Sequence, residues 1–278
     1  MTTTLRPTGP ERRTDDGGRS RAYDVCVNSR PVGRIDLATD HRFGPSVGRI
    51  ERLEVDPADR HRGRGTVAAL AAEEVLRGWG CERIEAGVPA GATTALGLAG
   101  ALGYSERGRN MIKHLGQSPE LPAGSTARRL SDTEYPAWLA HEREGYVQEW
   151  TARGVPEEQA RAKADNDYAQ LLPQGPATPG ACLRILAHDG TDVGTIWVAL
   201  HNPRGDQGEA YVYSVEVAEE HRGRGHGRTL MLVAERECLA AGVRDLGLHV
   251  FAGSTTALRL YESLGYRPTR FNLFKQLV

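Results

Sequence analysis

The sequence predicts two tandem domains of the α+β class, each a mixed α/β sheet with helices packed on it. Three observations predict this. Val55–Tyr104 lies over Val217–Tyr266 without a gap, at an offset of 162 residues; a repeat of that length is a duplicated domain, not a solenoid period of some 20–50 residues. Strand-like and helix-like runs alternate in both copies, as a layered sheet with helices requires. The chain has 278 residues, and a prior of about 150 residues per domain gives two.

Residues 1–20 are rich in Thr, Arg, Gly and Asp and read as a disordered tail. The first domain is expected over 21–117. Its strands fall at 22–27 and 32–37, joined by the turn signal Asn28-Ser-Arg-Pro31, and at 47–55. A helix over 67–77, a strand over 83–88, a helix over 93–102 and a strand over 109–114 complete it. Residues 118–126, with Pro119, Pro122 and Gly124, read as the linker.

The second domain, 127–278, opens with a short strand at 127–130. Two helical stretches follow, 133–153 and 156–172, with no counterpart in the first copy. Pro156 followed by Glu157 and Glu158 suits a helix start, where proline is tolerated and acids meet the positive end of the dipole. Strands at 181–188 and 193–200 match the first hairpin. A strand over 211–217, a helix to about 241, a strand over 245–251, a helix over 255–264 and a strand over 269–277 close the chain.

Composition excludes several classes. Hydrophobic content of 39% and charge of 26% describe an ordinary globular protein. A net charge of -1 supplies no field to attract nucleic acid or an anionic membrane. Cys26, Cys81, Cys182 and Cys238 form no C-x-x-C pair and read as free buried thiols of a reducing cytosol. The nine histidines show no H-x₃-H or H-E-x-x-H spacing, so no metal is expected. No apolar run approaches 18 residues and the N-terminus lacks a signal-peptide core, so the expected location is cytoplasmic.

The chemistry is concentrated in Val217-x₄-Arg222-x₂-Gly225-x-Gly227. There a strand ends, a glycine-rich turn follows and a helix begins. The first amides of a helix have no internal partner and its dipole adds positive potential. Gly225 and Gly227 let the backbone approach a ligand that a β-carbon would exclude, and Arg222, Arg224 and Arg228 carry charge to neutralise it. Together these features make a diphosphate seat. The loop is neither a Walker A sequence nor a dinucleotide G-x-G-x-x-G. Arg60, Gly63 and Gly65 repeat it in the first domain after Val55.

Each repeat resembles the GNAT acetyltransferase superfamily, whose hallmark is Arg/Gln-x-x-Gly-x-Gly/Ala after the fourth strand. A second shared stretch is Ala257-x-x-Leu260-Tyr261-x-x-Leu264-Gly265-Tyr266. The resemblance covers nearly the whole chain and implies two tandem GNAT-like domains, the first truncated at its N-terminal helices. It implies that the loop binds the diphosphate of acetyl-coenzyme A, or of another short acyl-coenzyme A, with pantetheine between splayed strands. The cofactor-binding set then comprises Val215, Val217, Arg222, Gly223, Arg224, Gly225, His226, Gly227, Arg228, Ser254 and Tyr261. The first-domain counterparts Val55, Arg60, Gly63 and Gly65 form a second candidate set.

By the same resemblance Tyr261 stands where the family has its general acid. Ala257, Leu260, Tyr261 and Leu264 also form an apolar helical stripe, which fits a core aromatic equally. The first domain has Ala99 at the Tyr261 position and Gly87 at that of His249. His249 is a candidate base, since histidine titrates near neutrality; a plain strand histidine fits as well. Glu216 is a second base candidate, although Glu54 matches it. Many relatives carry an acid two residues earlier, where this chain has Ser214 and Arg52. Tyr146, Trp150, Trp197, Tyr211 and Tyr213 are candidate walls of an acceptor pocket, where aromatics with the acids Glu142, Glu144 and Glu149 suit a cationic amine; a solvated helix face fits that acidic run as well.

These residues point to an acyltransferase acting in the second domain. The expected reaction is direct acetyl transfer to a primary amine of a small molecule, without nucleic acid or membrane partners. Acetylation of a protein N-terminus or lysine, and a non-catalytic acyl-coenzyme A sensor, fit the same loop.

Overall fold

Alternating apolar strands give each unit its own apolar cluster, packed under a helix that follows the glycine turn. The computed structural model describes residues 2–15, 17–40, 44–152, 155–201 and 209–277. The chain divides into unit 1, Met1–Arg109 with Thr269–Val278, and unit 2, Asn110–Pro268.

In unit 1, β1 (Thr3–Pro7), β2 (Arg12–Arg13), β3 (Arg19–Val27), β4 (Arg30–Asp40) and β5 (Gly44–Val55) are followed by α1 (Arg64–Gly78), β6 (Arg83–Pro89) and α2 (Thr93–Ala101). The next strand, β7 (Ser105–His114), runs on into unit 2. Val27 pairs with Arg30 across Asn28 and Ser29, whose φ values of 48° and 68° define the two-residue turn that suits the twist of a hairpin. The expected tail over 1–20 is corrected: β1 pairs antiparallel with β3 from Thr3↔Val27 to Pro7↔Tyr23. Leu5 packs against the unit 1 cluster, so one apolar side chain within a polar stretch suffices to seat an edge strand.

Unit 2 contains β8 (Ser125–Arg129), α3 (Tyr135–Thr151), α4 (Glu157–Leu171), β9 (Ala181–His188), β10 (Thr191–Ala199), β11 (Glu209–Val217), α5 (His226–Ala240), β12 (Asp245–Phe251) and α6 (Thr255–Ser263). The expected end of the 133–153 helix, Arg153, lies outside the described residues. Before α3, the Ser131 hydroxyl accepts from the Glu134 amide (3.3 Å) while the Ser131 amide donates to the Glu134 carboxylate (2.9 Å). This reciprocal pair satisfies donors at the helix start. Asp189 and Gly190, with φ of 47° and 79°, make the β9–β10 turn, a signal as plain as that of the first hairpin.

The last strand, β13 (Arg267–Gln276), departs from the expected boundaries of 21–117 and 127–278. From Arg270 onward it pairs antiparallel with β6 of unit 1, and Leu273 and Phe271 enter the unit 1 cluster. Met111, within β7, and Leu115, just beyond it, belong to the unit 2 cluster. Each unit is thus completed by the closing strand of the other repeat. Alternation shows which side of a strand is apolar and leaves its hydrogen-bonding neighbour open, so the exchange has no mark in the sequence.

The exchanged strands carry equivalent ion pairs. Lys113 Nζ donates to Glu235 on α5 (2.6 Å), and its ammonium lies 5.8 Å from the Tyr266 ring centroid. In unit 1, Lys275 donates to Glu73 on α1 (2.8 and 2.9 Å), 5.7 Å from the Tyr104 ring centroid. Glu73 and Glu235 are buried, so removing one partner leaves a charge stranded in the protein. Lys113→Met is expected to destabilise unit 2 by on the order of 3 kcal/mol, and Lys113→Met with Glu235→Leu to recover most of that loss, measured by urea denaturation.

Candidate active site

β11 and β12 run parallel and pair from Glu209↔Asp245 to Val212↔Leu248. Beyond that register they no longer pair with each other, although β11 continues to Val217 and β12 to Phe251. At the same level β10 and β11 change register: Trp197 faces Ser214 and Val198 faces Val212, leaving Tyr213 as the extra residue of a β-bulge. A bulge bends its strand and re-aims side chains. The opening therefore has two faces with different chemistry.

At its mouth the glycine turn begins α5. Gly223 and Gly225 have φ of 78° and 87°, and no side chain caps the helix. A Cβ built on Gly225 meets nothing within 4 Å. Bare amides at a helix start facing free space form the cradle that an anion needs, so these residues fit a diphosphate. Two of the expected charges are used otherwise. Arg222 Nε donates to the Val217 carbonyl (3.1 Å), and Arg228 Nη2 donates to Ser263 Oγ (2.6 Å). They brace the turn, and Arg224 stands exposed beside it. His226 is buried at the first helical position, its ring 5.0 Å from that of His188 and 6.4 Å from that of His221. Burial and the neighbouring cations push its pKa down. Ser254 precedes α6, and its carbonyl accepts the first helical bond from Leu258 (2.9 Å).

On one face of the opening lies Tyr261. It is 6% exposed and packs in the unit 2 cluster, which also takes in Val215, Val217 and Val250. Burial raises its phenol to about 12, so the hydroxyl keeps its proton at neutral pH and is available as a donor. The helical stripe is real, and Tyr261 is both a core residue and a proton-bearing one.

The opposite face gathers the aromatics. Tyr213 stacks on Trp197 (4.7 Å) and Trp197 on Tyr168 (5.5 Å), while Tyr211 lies 4.9 Å from Tyr213. Tyr146 meets Trp150 (5.9 Å), Trp150 meets Phe251 edge-on (5.9 Å), and Phe251 meets His249 (4.6 Å). Trp197 is only 3% exposed; it backs this wall and offers no surface to an acceptor, a correction to its expected place. His249 faces away from the buried Leu248 and Val250 as alternation requires.

Glu216 is held by His141 of α3, whose Nε2 lies 2.9 and 2.8 Å from its two carboxylate oxygens. That partner raises the His141 pKa. Beside the pair is Glu142, one of the α3 acids expected at the acceptor wall but not expected as a base. Glu142 accepts a hydrogen bond from Ser214 Oγ (2.7 Å). Half-buried, with the Glu216 charge nearby, its carboxyl is pushed up to about 7. The signal for it was indirect: serine at a strand position where an acid was expected.

Unit 1 keeps the frame with other side chains beside it. β5 and β6 also stop pairing early, at Ile50↔Ala86, and Arg60 Nε donates to the Val55 carbonyl (2.8 Å). Gly63 retains its φ of 72° before α1. Beside the turn, however, buried Asp59 takes Arg30 (2.9 and 3.0 Å) and pairs with Arg64. A Cβ on Gly87 would collide with the Arg270 side chain, so the place matching His249 is filled from β13. Among the described residues no group of three or more His, Cys, Asp or Glu is placed to hold a metal ion. No helix among them is long and apolar enough to cross a membrane.

The strand opening, the uncapped glycine turn and the buried tyrosine together define an acyltransferase fold. The sequence profile of the acetyltransferase (GNAT) family matches residues 3–104 and again 135–266, and the chain belongs to that family. It is an acyltransferase of GNAT type in tandem form. An uncharacterised N-acetyltransferase of Bacillus subtilis, YycN, is 31% identical over 151 residues, covering 53% of this chain and 96% of that one. A mycothiol acetyltransferase of Frankia casuarinae is 28% identical, covering 93% of this chain and 76% of that one. A GCN5-related N-acetyltransferase from Sphaerobacter thermophilus has the same fold (TM-score 0.60, 22% identity, 92% of this chain and 80% of that one).

Proposed function

We infer that unit 2 transfers an acetyl group from acetyl-coenzyme A to a primary amine of a small molecule by direct attack on the thioester. The observation that carries this reading is the retention, in one copy only, of a proton-bearing Tyr261 beside an uncapped glycine turn. When bound, the thioester supplies the activated acetyl group. The amides from Gly223 to Gly227 would hold its diphosphate, and the edges of β11 near Val215 and Val217 would hold the pantetheine arm. Tyr261 protonates the departing sulfur. Proton transfers of this kind contribute about 10²–10⁴ in rate.

The acceptor side favours a compact cation. Tyr146, Trp150 and Tyr213 offer ring faces, and Glu142 and Glu216 supply negative charge. The Frankia relative, along most of this chain, bears a name that gives a small-molecule acceptor. Unit 1 is a structural partner in this account, because Asp59 already occupies Arg64 and Arg270 fills the Gly87 space. Transfer to protein amines is the rival reading, and amine-bearing peptides beside a small-amine panel separate the two.

Thiol release with acetyl-coenzyme A and that panel is the direct test; silence with every amine, with tight coenzyme A binding retained, favours a sensor instead. Tyr261→Phe is expected to lower kcat by about 10²-fold or more with coenzyme A affinity nearly unchanged, and Ala99→Tyr to do nothing. Equal turnover of wild type and Tyr261→Phe removes the acid assignment. Gly225→Asp is expected to abolish coenzyme A binding by calorimetry, since it places a carboxylate and bulk on the amide cradle. Wild type is expected to bind one equivalent per chain.

A further inference from the structure

The geometry points to Glu142 of α3, rather than an acid on β11, as the group that takes the proton from the attacking amine. This rests on the transfer reading above. The bulge at Tyr213 sends both Tyr213 and Ser214 toward the α3 side: Tyr213 stacks on Trp197, and Ser214 sits opposite Trp197 and reaches Glu142. Ser214 lies just beyond the last β11–β12 pair, Val212↔Leu248, so its hydroxyl pins the Glu142 carboxylate where the strands part. Tyr261 lies on the other face of the same opening, within the unit 2 cluster. Acid and base then flank a thioester from opposite sides.

The rival groups are placed less well. Both Glu216 oxygens engage His141, and His249 packs edge-on against Phe251 of its own strand, β12. The groups facing Glu142 are Ser214 and Glu216 from β11, Tyr168 from α4, and His141 beside it on α3. Ser214, Tyr168 and His141 favour its charged form, whereas burial and Glu216 oppose it. Burial is the largest influence and brings the carboxyl to about 7, so it is poised to exchange a proton near neutrality. Ser214 and Tyr168 are positioning residues.

In the step, the amine nitrogen bonds to the thioester carbonyl carbon and its proton passes to the Glu142 carboxylate. The carbon–sulfur bond breaks, and the sulfur takes the Tyr261 hydroxyl proton. Solvent then returns a proton from Glu142 to the Tyr261 oxygen, leaving amide and free thiol.

The test is the pH profile of kcat/KM for the full chain, with carboxyl ¹³C titration of glutamate-labelled protein. The base works deprotonated, so wild-type kcat/KM should rise through a midpoint near pH 7. Glu142→Gln keeps the volume and an acceptor for Ser214; it should lose about 10²–10³-fold, lose that limb, and lose the one ¹³C resonance titrating near pH 7. Ser214→Ala removes a donor to the carboxylate and should move the limb to higher pH, which a merely structural role would not do. An unchanged limb in Glu142→Gln, or no carboxyl titrating above about pH 6 in wild type, overturns the assignment. If that occurs while Tyr261→Phe still impairs turnover, the transfer reading stands without it. Absence of transfer to every amine overturns both.

Discussion

The site depends on the parting of two parallel strands. As long as β11 and β12 share hydrogen bonds, their backbone groups are satisfied and closed to any ligand. After Val212↔Leu248 those groups turn to whatever enters the opening, and the bulge at Tyr213 fixes which side chains stand over it. The exposed amides at the start of α5 complete the same requirement, a surface of main-chain donors without side chains in the way. In the proposed mechanism Tyr261 and Glu142 act because they stand on the two sides of that opening.

The two copies share the frame and differ in the side chains that stand beside it. Unit 1 retains the parted strands, the arginine that braces the turn and the glycine in the left-handed region. It replaces the phenol by Ala99, fills the space over Gly87 with Arg270, and places Asp59 against Arg64. Among its described residues it has no helices equivalent to α3 and α4, and with them no counterpart of Glu142. In the proposed reading unit 1 is a scaffold kept for the strand it exchanges.

Much of this was legible in the sequence where a local constraint leaves a residue mark. Glycines at the turn, the proline before α4 with acids in its first turn, and alternation along β12 each follow from local backbone geometry. Tyr261 was legible through the repeat, because Ala99 served as an internal control. The exchange of β7 and β13 was not, since both strands have the same pattern whichever sheet they join. β1 was concealed by the polar composition around Leu5. Trp197 was placed in the acceptor wall because an aromatic on a strand looks alike whether it faces a pocket or another ring. Glu142 was legible only as one of several acids on α3, and the tertiary approach of Ser214 alone distinguishes it.

The most direct measurement of the central claim is a crystal structure of the full chain with coenzyme A. The account predicts one molecule per chain, its diphosphate on the amides from Gly223 to Gly227 and its sulfur between β11 and β12 beside Tyr261. A nucleotide seated on the Gly63 turn alone, or β11 and β12 rejoined with the sulfur elsewhere, would contradict it.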